Sequence, residues 1–302
     1  MKRMLFVMNP YAGQKKANKF LPEIISIFNR AGYEVVIHMT EGQGDATLVV
    51  EQRAKNMDLV VCCGGDGTFN ETVSGLLKAG LQIPVGYIPA GSTNDFATSL
   101  GLSPDNLQAA RDIVAGHTRL VDVGVFGERY FTYVASFGAF TRASYATPQS
   151  LKNVLGHAAY LLGGLAEIGQ VKEENVTVEL EDGTRIEGPF FFGAVSNSTS
   201  VGGVLSLSAD RVDMADGMLE VLLARSPKNV NEVGEMLTAF QNKTYNCTML
   251  TFLSTKKLKV IAEEGMAWTI DGEHQDGIKT IDVTCHQHAL QVLCPAKREA
   301  LP

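Results

Sequence analysis

Apolar residues fall into short runs over the first third of the chain, at positions 4–8, 34–39, 58–63 and 83–88. Each run leads, through a loop or turn, to a stretch in which apolar and polar positions recur at helical spacing or helix-capping residues cluster. Runs of five or six apolar residues bounded by Gly, Pro and Asn read as buried strands, and 3.6-residue spacing reads as helix. The pattern predicts strands at those four places and helices near 17–31, 45–55, 70–79 and 105–115. Strand alternating with helix is the signature of a parallel sheet with helices on both faces.

After position 121 the texture changes. Strand-like segments crowd together at 123–126, 130–137, 175–180, 185–194, 218–223, 257–262, 268–270, 281–285 and 289–293, punctuated by turn signals such as Asp182-Gly183 and Asp271-Gly272. Helical spacing survives only near 150–169 and 230–241. This half is expected to be an antiparallel β-sandwich. The expected organisation is α/β plus all-β, with one domain over 1–122 and a second over 123–302 whose C-terminal tail is free to return to the first. No Pro- or Ser-rich linker separates the halves, so residues of the second are expected to help complete a site begun by the first.

Three loops at the carboxyl ends of predicted strands carry the candidate chemistry. Residues 60–77, VVCCGGDGTFNETVSGLL, join a strand to a helix through Gly64, Gly65 and Gly67, with Asp66, Thr68, Asn70 and Glu71 around them. Glycines let the backbone approach a ligand, and the helix N-terminus behind them attracts an anion. Residues 89–97, PAGSTNDFA, follow the next strand with four capping residues, Ser92 to Asp95, and residues 9–13, NPYAG, follow the first. Ligands of open parallel sheets bind in such crevices.

GGDGTFNE together with PAGSTNDFA resembles the diacylglycerol kinase catalytic-domain family, which includes bacterial lipid kinases and is related to sphingosine and ceramide kinases. NAD kinases and phosphofructokinase-like enzymes share the GGDGT loop, and the GSTNDFA loop sets the lipid-kinase version apart. The resemblance runs from NPYAG to the DGE at Asp271 to Glu273. It implies a phosphofructokinase/NAD kinase-like nucleotide-binding domain followed by a β-sandwich, with the active site in the interdomain cleft. It also implies an ATP-dependent, Mg²⁺-requiring kinase that phosphorylates a lipid hydroxyl, diacylglycerol to phosphatidic acid first, with phosphatidylglycerol and sphingoid bases open. A phosphotransferase acting on a soluble alcohol and a catalytically silent nucleotide-binding regulator are the alternatives.

By the same resemblance Asp271 is the general base, Glu273 a supporting catalytic or metal-site residue, and Asp66 with Asp95 the carboxylates of the catalytic Mg²⁺ network. The residues alone leave blander readings open: Asp271-Gly272 is also a hairpin turn, and Asp95 also a helix cap. Nucleotide contacts are expected from Asn9, Thr40, Gly64, Gly65, Gly67, Thr68, Asn70, Glu71 and Thr93; Glu71 equally reads as a first-turn carboxylate favoured by the helix dipole. In DMADGMLEV, residues 213–221, the matching positions for a structural Mg²⁺ are Asp213, Asp216 and the main-chain oxygen of Met218, and a solvated acidic turn is the other reading.

Composition narrows the partners. The 302 residues carry 26 Lys and Arg against 33 Asp and Glu, a net charge of −7, which argues against general nucleic-acid binding. Five cysteines with no CxxC pair point to a reducing cytoplasm and to neither a disulfide framework nor a zinc site. No stretch reaches the roughly 18 apolar residues of a membrane span, so a lipid substrate is expected to be met by transient peripheral association. Lys15, Lys16, Lys19 and Lys152 are candidates for anionic headgroups or simply a solvated face, and an antiparallel edge makes a homodimer an expectation.

Overall fold

The computed structural model describes residues 1–13, 16–138, 173–201, 205–208, 210–245 and 247–295. The chain forms two compact units, Met1–Val123 with His286–Pro302, and Gly124–Cys285. The expected helix at 150–169 lies outside the described residues.

The first unit is built on β1 (Lys2–Met8), β2 (Tyr33–Met39), β3 (Leu59–Gly64) and β4 (Val85–Pro89), parallel and in the order β2-β1-β3-β4. Residues 4–8 are fully buried because the sheet is covered on both faces, which is why these strands read as unbroken apolar runs. On one face Met4, Phe6, Met8, Leu59, Val61 and Ile88 pack against Ile24 and Phe28 of α1 (Lys16–Arg30) and Ala109, Ala110 and Ile113 of α5 (Asn106–Ala115). The sheet also packs against α2 (Asp45–Arg53) and α3 (Asp66–Lys78). Asp105 caps α5 by accepting a hydrogen bond from the Gln108 N–H at 2.8 Å. Helix α3 starts four residues earlier than its apolar spacing suggested: Gly65 is extended and Asp66 already helical, so Thr68 and Asn70 sit inside the first turns. A short helix, α4 (Asp95–Leu100), follows the PAGSTN loop.

The second unit holds a six-stranded antiparallel sheet, in the order 250–255, 219–224, 192–196, 134–138, 267–270, 273–276. Facing it are the strands 174–180, 185–190 and 257–261 with the early part of Thr280–Cys294, and a small pair at 124–126 and 129–131. One apolar core joins the layers: Val221, Leu223, Phe137, Trp268 and Ile270 from the first meet Val176, Val178, Val260, Ile281, Val283 and Phe131 from the second. The expected single strand at 185–194 is two, Arg185–Phe190 and Phe192–Ser196, one in each layer. The segments expected at 281–285 and 289–293 are one long strand, Thr280–Cys294, bent at His288 with φ 53° and running from the second unit into the first, where Val292 pairs with Val85.

Candidate functional site

The carboxyl ends of the four parallel strands place Thr40, Asn9, Gly64 and Ala90 along one edge, and backbone hydrogen bonds lock them in register. The Thr40 N–H donates to the Met8 carbonyl at 2.8 Å, Asn9 N–H to Cys63 at 2.9 Å and Ala90 N–H to Gly64 at 2.7 Å. Asn9 Nδ2 then donates to Thr68 Oγ1 at 3.1 Å, while its Oδ1 accepts from the Tyr11 N–H at 2.9 Å. The glycines are required by close approach: a Cβ on Gly91 would lie 2.7 Å from Gly65 Cα, and one on Gly64 would lie 2.7 Å from Thr68 Cβ. The GGDG and PAGSTND loops touch backbone to backbone, beside the start of α3, which no side chain caps. Thr93 stands exposed on the second loop; Thr40, Thr68 and Asn70 are buried.

Asn94, which sequence patterning offered only as a cap, holds its loop closed. It adopts φ 55°, accepts from Gly91 N–H at 2.9 Å and returns a bond from Nδ2 to the Gly91 carbonyl at 3.1 Å. Asp66 ties the two loops together: its Oδ2 accepts from the Asp95 N–H at 3.1 Å and its Oδ1 from the Phe96 N–H at 3.4 Å, at the start of α4. Asp95 is itself buried. Glu71 is engaged within the first unit. Its two carboxylate oxygens accept from the Gly44 and Ala46 N–H groups, at 2.7 and 3.2 Å, and so fasten the loop after β2 to α3.

In the second unit Asp271 and Gly272 form a two-residue hairpin between Ile270 and Glu273, both with positive φ, 46° and 84°. The hairpin-turn reading of this dipeptide holds. The Asp271 carboxylate, 4% exposed, accepts four hydrogen bonds: from Thr132 N–H (2.6 Å) and Oγ1 (2.8 Å) on Oδ2, and from Tyr133 N–H (3.1 Å) and Val134 N–H (2.9 Å) on Oδ1. Burial pushes its carboxyl above the ordinary value, against these donors, which favour the charged form. Glu273 is more open, its side chain 30% exposed and paired with Arg129, whose other terminal nitrogen donates to Gln275 Oε1 at 3.2 Å. Arg129 and Thr132 are more than 130 residues from this turn in sequence, and no local pattern announces them.

The 213–218 turn lies on the same unit. Asp213 and Asp216 are exposed, and each accepts a turn N–H, from Ala215 at 3.1 Å and Met218 at 2.9 Å. The Met218 carbonyl has the Cys285 thiol 3.7 Å away. Behind them Glu220, 1% exposed, has its carboxyl pushed up to about 8 by burial and then by Asp216. Among the described residues no three His, Cys, Asp or Glu side chains group as a direct chelate. Lys19 is exposed on α1; Lys15 and Lys152 lie outside the described residues, as does the Lys16 side chain.

Comparison with known proteins agrees with this layout. Residues 3–126 match the model of the diacylglycerol kinase catalytic domain, and residues 134–294 match that of a YegS C-terminal NAD kinase beta sandwich-like domain. A protein named diacylglycerol kinase from Bacillus subtilis strain 168 is 32% identical over 100% of this chain and 99% of its own. One of the same name from Staphylococcus epidermidis is 30% identical over 97% and 92%. A crystal structure titled as a diacylglycerol kinase from Bacillus anthracis superposes with a TM-score of 0.77 over 97% of both chains, at 24% identity, a likeness of fold.

Proposed function

Because the chain belongs to the diacylglycerol kinase family, a family of lipid kinases, we propose that it moves the γ-phosphoryl group of ATP onto a lipid hydroxyl, with diacylglycerol as acceptor and phosphatidic acid as product. The observation that carries the reading is the backbone contact between the GGDG and PAGSTND loops at the carboxyl edge of the sheet, beside the N-terminus of α3. Glycine backbone and a helix N-terminus suit polyphosphate. Asn9, Thr40, Gly64, Gly65, Gly67, Thr68 and Thr93 hold the nucleotide in this reading, and Asn70 and Glu71 brace it from α3.

Asp66 and Asp95 offer two carboxylates beside the phosphate loops, a donor set that suits a hard cation with much of its water shell; Mg²⁺ bound there supplies charge that offsets the phosphates. Both residues are also structural, Asp66 through its hold on α4. The acceptor proton goes to the DGE turn. Sequence resemblance pointed to Asp271, but its oxygens are committed to four protein donors and shielded from solvent. Glu273 is the more accessible carboxylate, and we assign it the acceptor hydroxyl, with Arg129 orienting it and Asp271 holding the turn.

The lipid is met at a membrane surface from the cytoplasm; among the described residues no helix is long and apolar enough to cross a bilayer. Transfer of labelled γ-phosphate to diacylglycerol, phosphatidylglycerol, sphingosine and NAD, with Mg²⁺ and lipid vesicles, tests the reading. Labelled phosphatidic acid is the expected product. Label on another lipid alone would move the acceptor within the class, and label on NAD alone would sink the lipid reading.

A further inference from the structure

Packing does little to shape the loop that follows β2, residues 40–44. Residues 41–43 are exposed, and no described atom lies within 4 Å of where a Cβ would stand on Gly42 or Gly44. A loop with two such glycines samples many conformations unless polar contacts fix it. Two carboxylates supply them. Glu71 takes the Gly44 and Ala46 N–H groups at the far end of the loop. At the near end Asp45, the first residue of α2, turns its carboxylate back, and Oδ2 accepts from the Glu41 N–H at 2.9 Å and from His38 Nε2 at 3.0 Å. An ionised carboxylate only accepts, so the His38 ring carries a proton on Nε2. The Glu41 N–H first, and His38 after it, hold the Asp45 carboxyl below its ordinary value, which keeps it the charged acceptor that both contacts need.

Thr40 lies between these contacts. One carboxylate oxygen grips the side chain two residues before it and the backbone N–H one residue after it, while the N–H of Thr40 itself is fixed to the Met8 carbonyl. Its place at the carboxyl edge of the sheet is therefore set by a ring of contacts closed at Asp45. The His38 and Asp45 side chains are 22% and 27% exposed, so removing one strands no buried charge on the other. We propose that Asp45, braced by His38, is a positioning residue for ATP: it holds the loop so that Thr40 meets the nucleotide in one conformation, and binding does not have to order it. The role rests on Thr40 being a nucleotide contact, as proposed above.

The test is transfer of labelled phosphate from ATP to phosphatidylglycerol vesicles containing diacylglycerol, with ATP varied and Tm measured alongside, for wild type, Thr40→Val, Asp45→Ala, the double variant and His38→Phe. Thr40→Val and Asp45→Ala are each expected to raise the KM for ATP about 10-fold and to move kcat less. Because Asp45 acts through Thr40, the double variant should stay near that value instead of reaching the roughly 100-fold of independent effects. His38→Phe, which leaves α2 untouched, should raise KM about 3-fold. A wild-type KM in Asp45→Ala, or multiplied effects in the double variant, would overturn the positioning role. Should Asp45→Ala unfold, His38→Phe decides, and a wild-type KM there would overturn it. A wild-type KM in Thr40→Val would remove the contact on which the role depends and leave the lipid-kinase reading standing, whereas no lipid label from wild type would sink both.

Discussion

Glu273→Gln is expected to leave a folded protein whose transfer of phosphate to diacylglycerol falls by about 10²- to 10⁴-fold in kcat, the usual range for loss of a positioned base, with the KM for ATP unchanged. Gln keeps the shape and a hydrogen bond to Arg129 but cannot take a proton. Its pair with Arg129 is about one-third exposed on each side, and pairs of that kind contribute about 0–1 kcal/mol, so Tm should barely move. Asp271→Asn should behave differently. An amide NH₂ placed where a carboxylate oxygen stood turns a donor toward the Thr132, Tyr133 or Val134 N–H groups, and a buried N–H left without an acceptor costs about 1–3 kcal/mol. Thermal unfolding should record a drop of several degrees for Asp271→Asn and almost none for Glu273→Gln. Full activity in Glu273→Gln, beside an inactive Asp271→Asn with wild-type Tm, would return the proton to Asp271.

The parallel half of the fold was readable because its strands are buried on both faces and therefore appear as uninterrupted apolar runs at 4–8 and 58–63. The β-rich half was harder, since a one-residue break decides which layer a strand joins. Phe191, between Phe190 and Phe192, carries the chain from one layer to the other, and the nearby Gly188-Pro189 and Gly193 lie inside the two strands and not at the step itself. Nor does anything in HQHAL announce that His288 bends a continuous strand instead of ending one. Strands at 250–255 and 273–276 were missed: the first is mixed in polarity, and the second, EHQD, is polar throughout and stands only because the Asp271-Gly272 turn folds it back on Ile270.

The site divides along a similar line. Residue types that bind phosphate through backbone, the glycines of GGDG and PAGS, are local in sequence, and so the loops could be named from spacing. What each carboxylate does could not. Glu71 reaches 25 residues back to Ala46, Asp66 reaches forward to Asp95 and Phe96, and Asp271 reaches back to Thr132. Each partner is a backbone N–H, present at almost every position and therefore silent in the sequence. A carboxylate's role depends on whether its oxygens are already occupied, and only the fold tells that.

Gly91→Ala should cripple nucleotide use through a single methyl group. Gly91 has no left-handed backbone to lose, so the effect is steric: the new Cβ would stand 2.7 Å from Gly65 Cα and 2.8 Å from Asn94 Oδ1, well inside the ~3.5–4.0 Å of a relaxed carbon contact. Neither neighbour can step aside cheaply. Gly65 joins β3 to α3, and Asn94 is held by two bonds to Gly91 itself. The loops must part by about an ångström, and overpacking of that kind costs about 1–3 kcal/mol, while misplacing phosphate-binding backbone by that distance costs about 100-fold in rate. The expected result is a fall of about two orders of magnitude in kcat/KM for ATP with a Tm lowered by several degrees. Gly234→Ala, on the Val230–Gln241 helix with open space around its Cβ, should leave both quantities at or above wild type. Wild-type ATP kinetics in Gly91→Ala would mean that the contact between the two glycine loops does not shape the phosphate site.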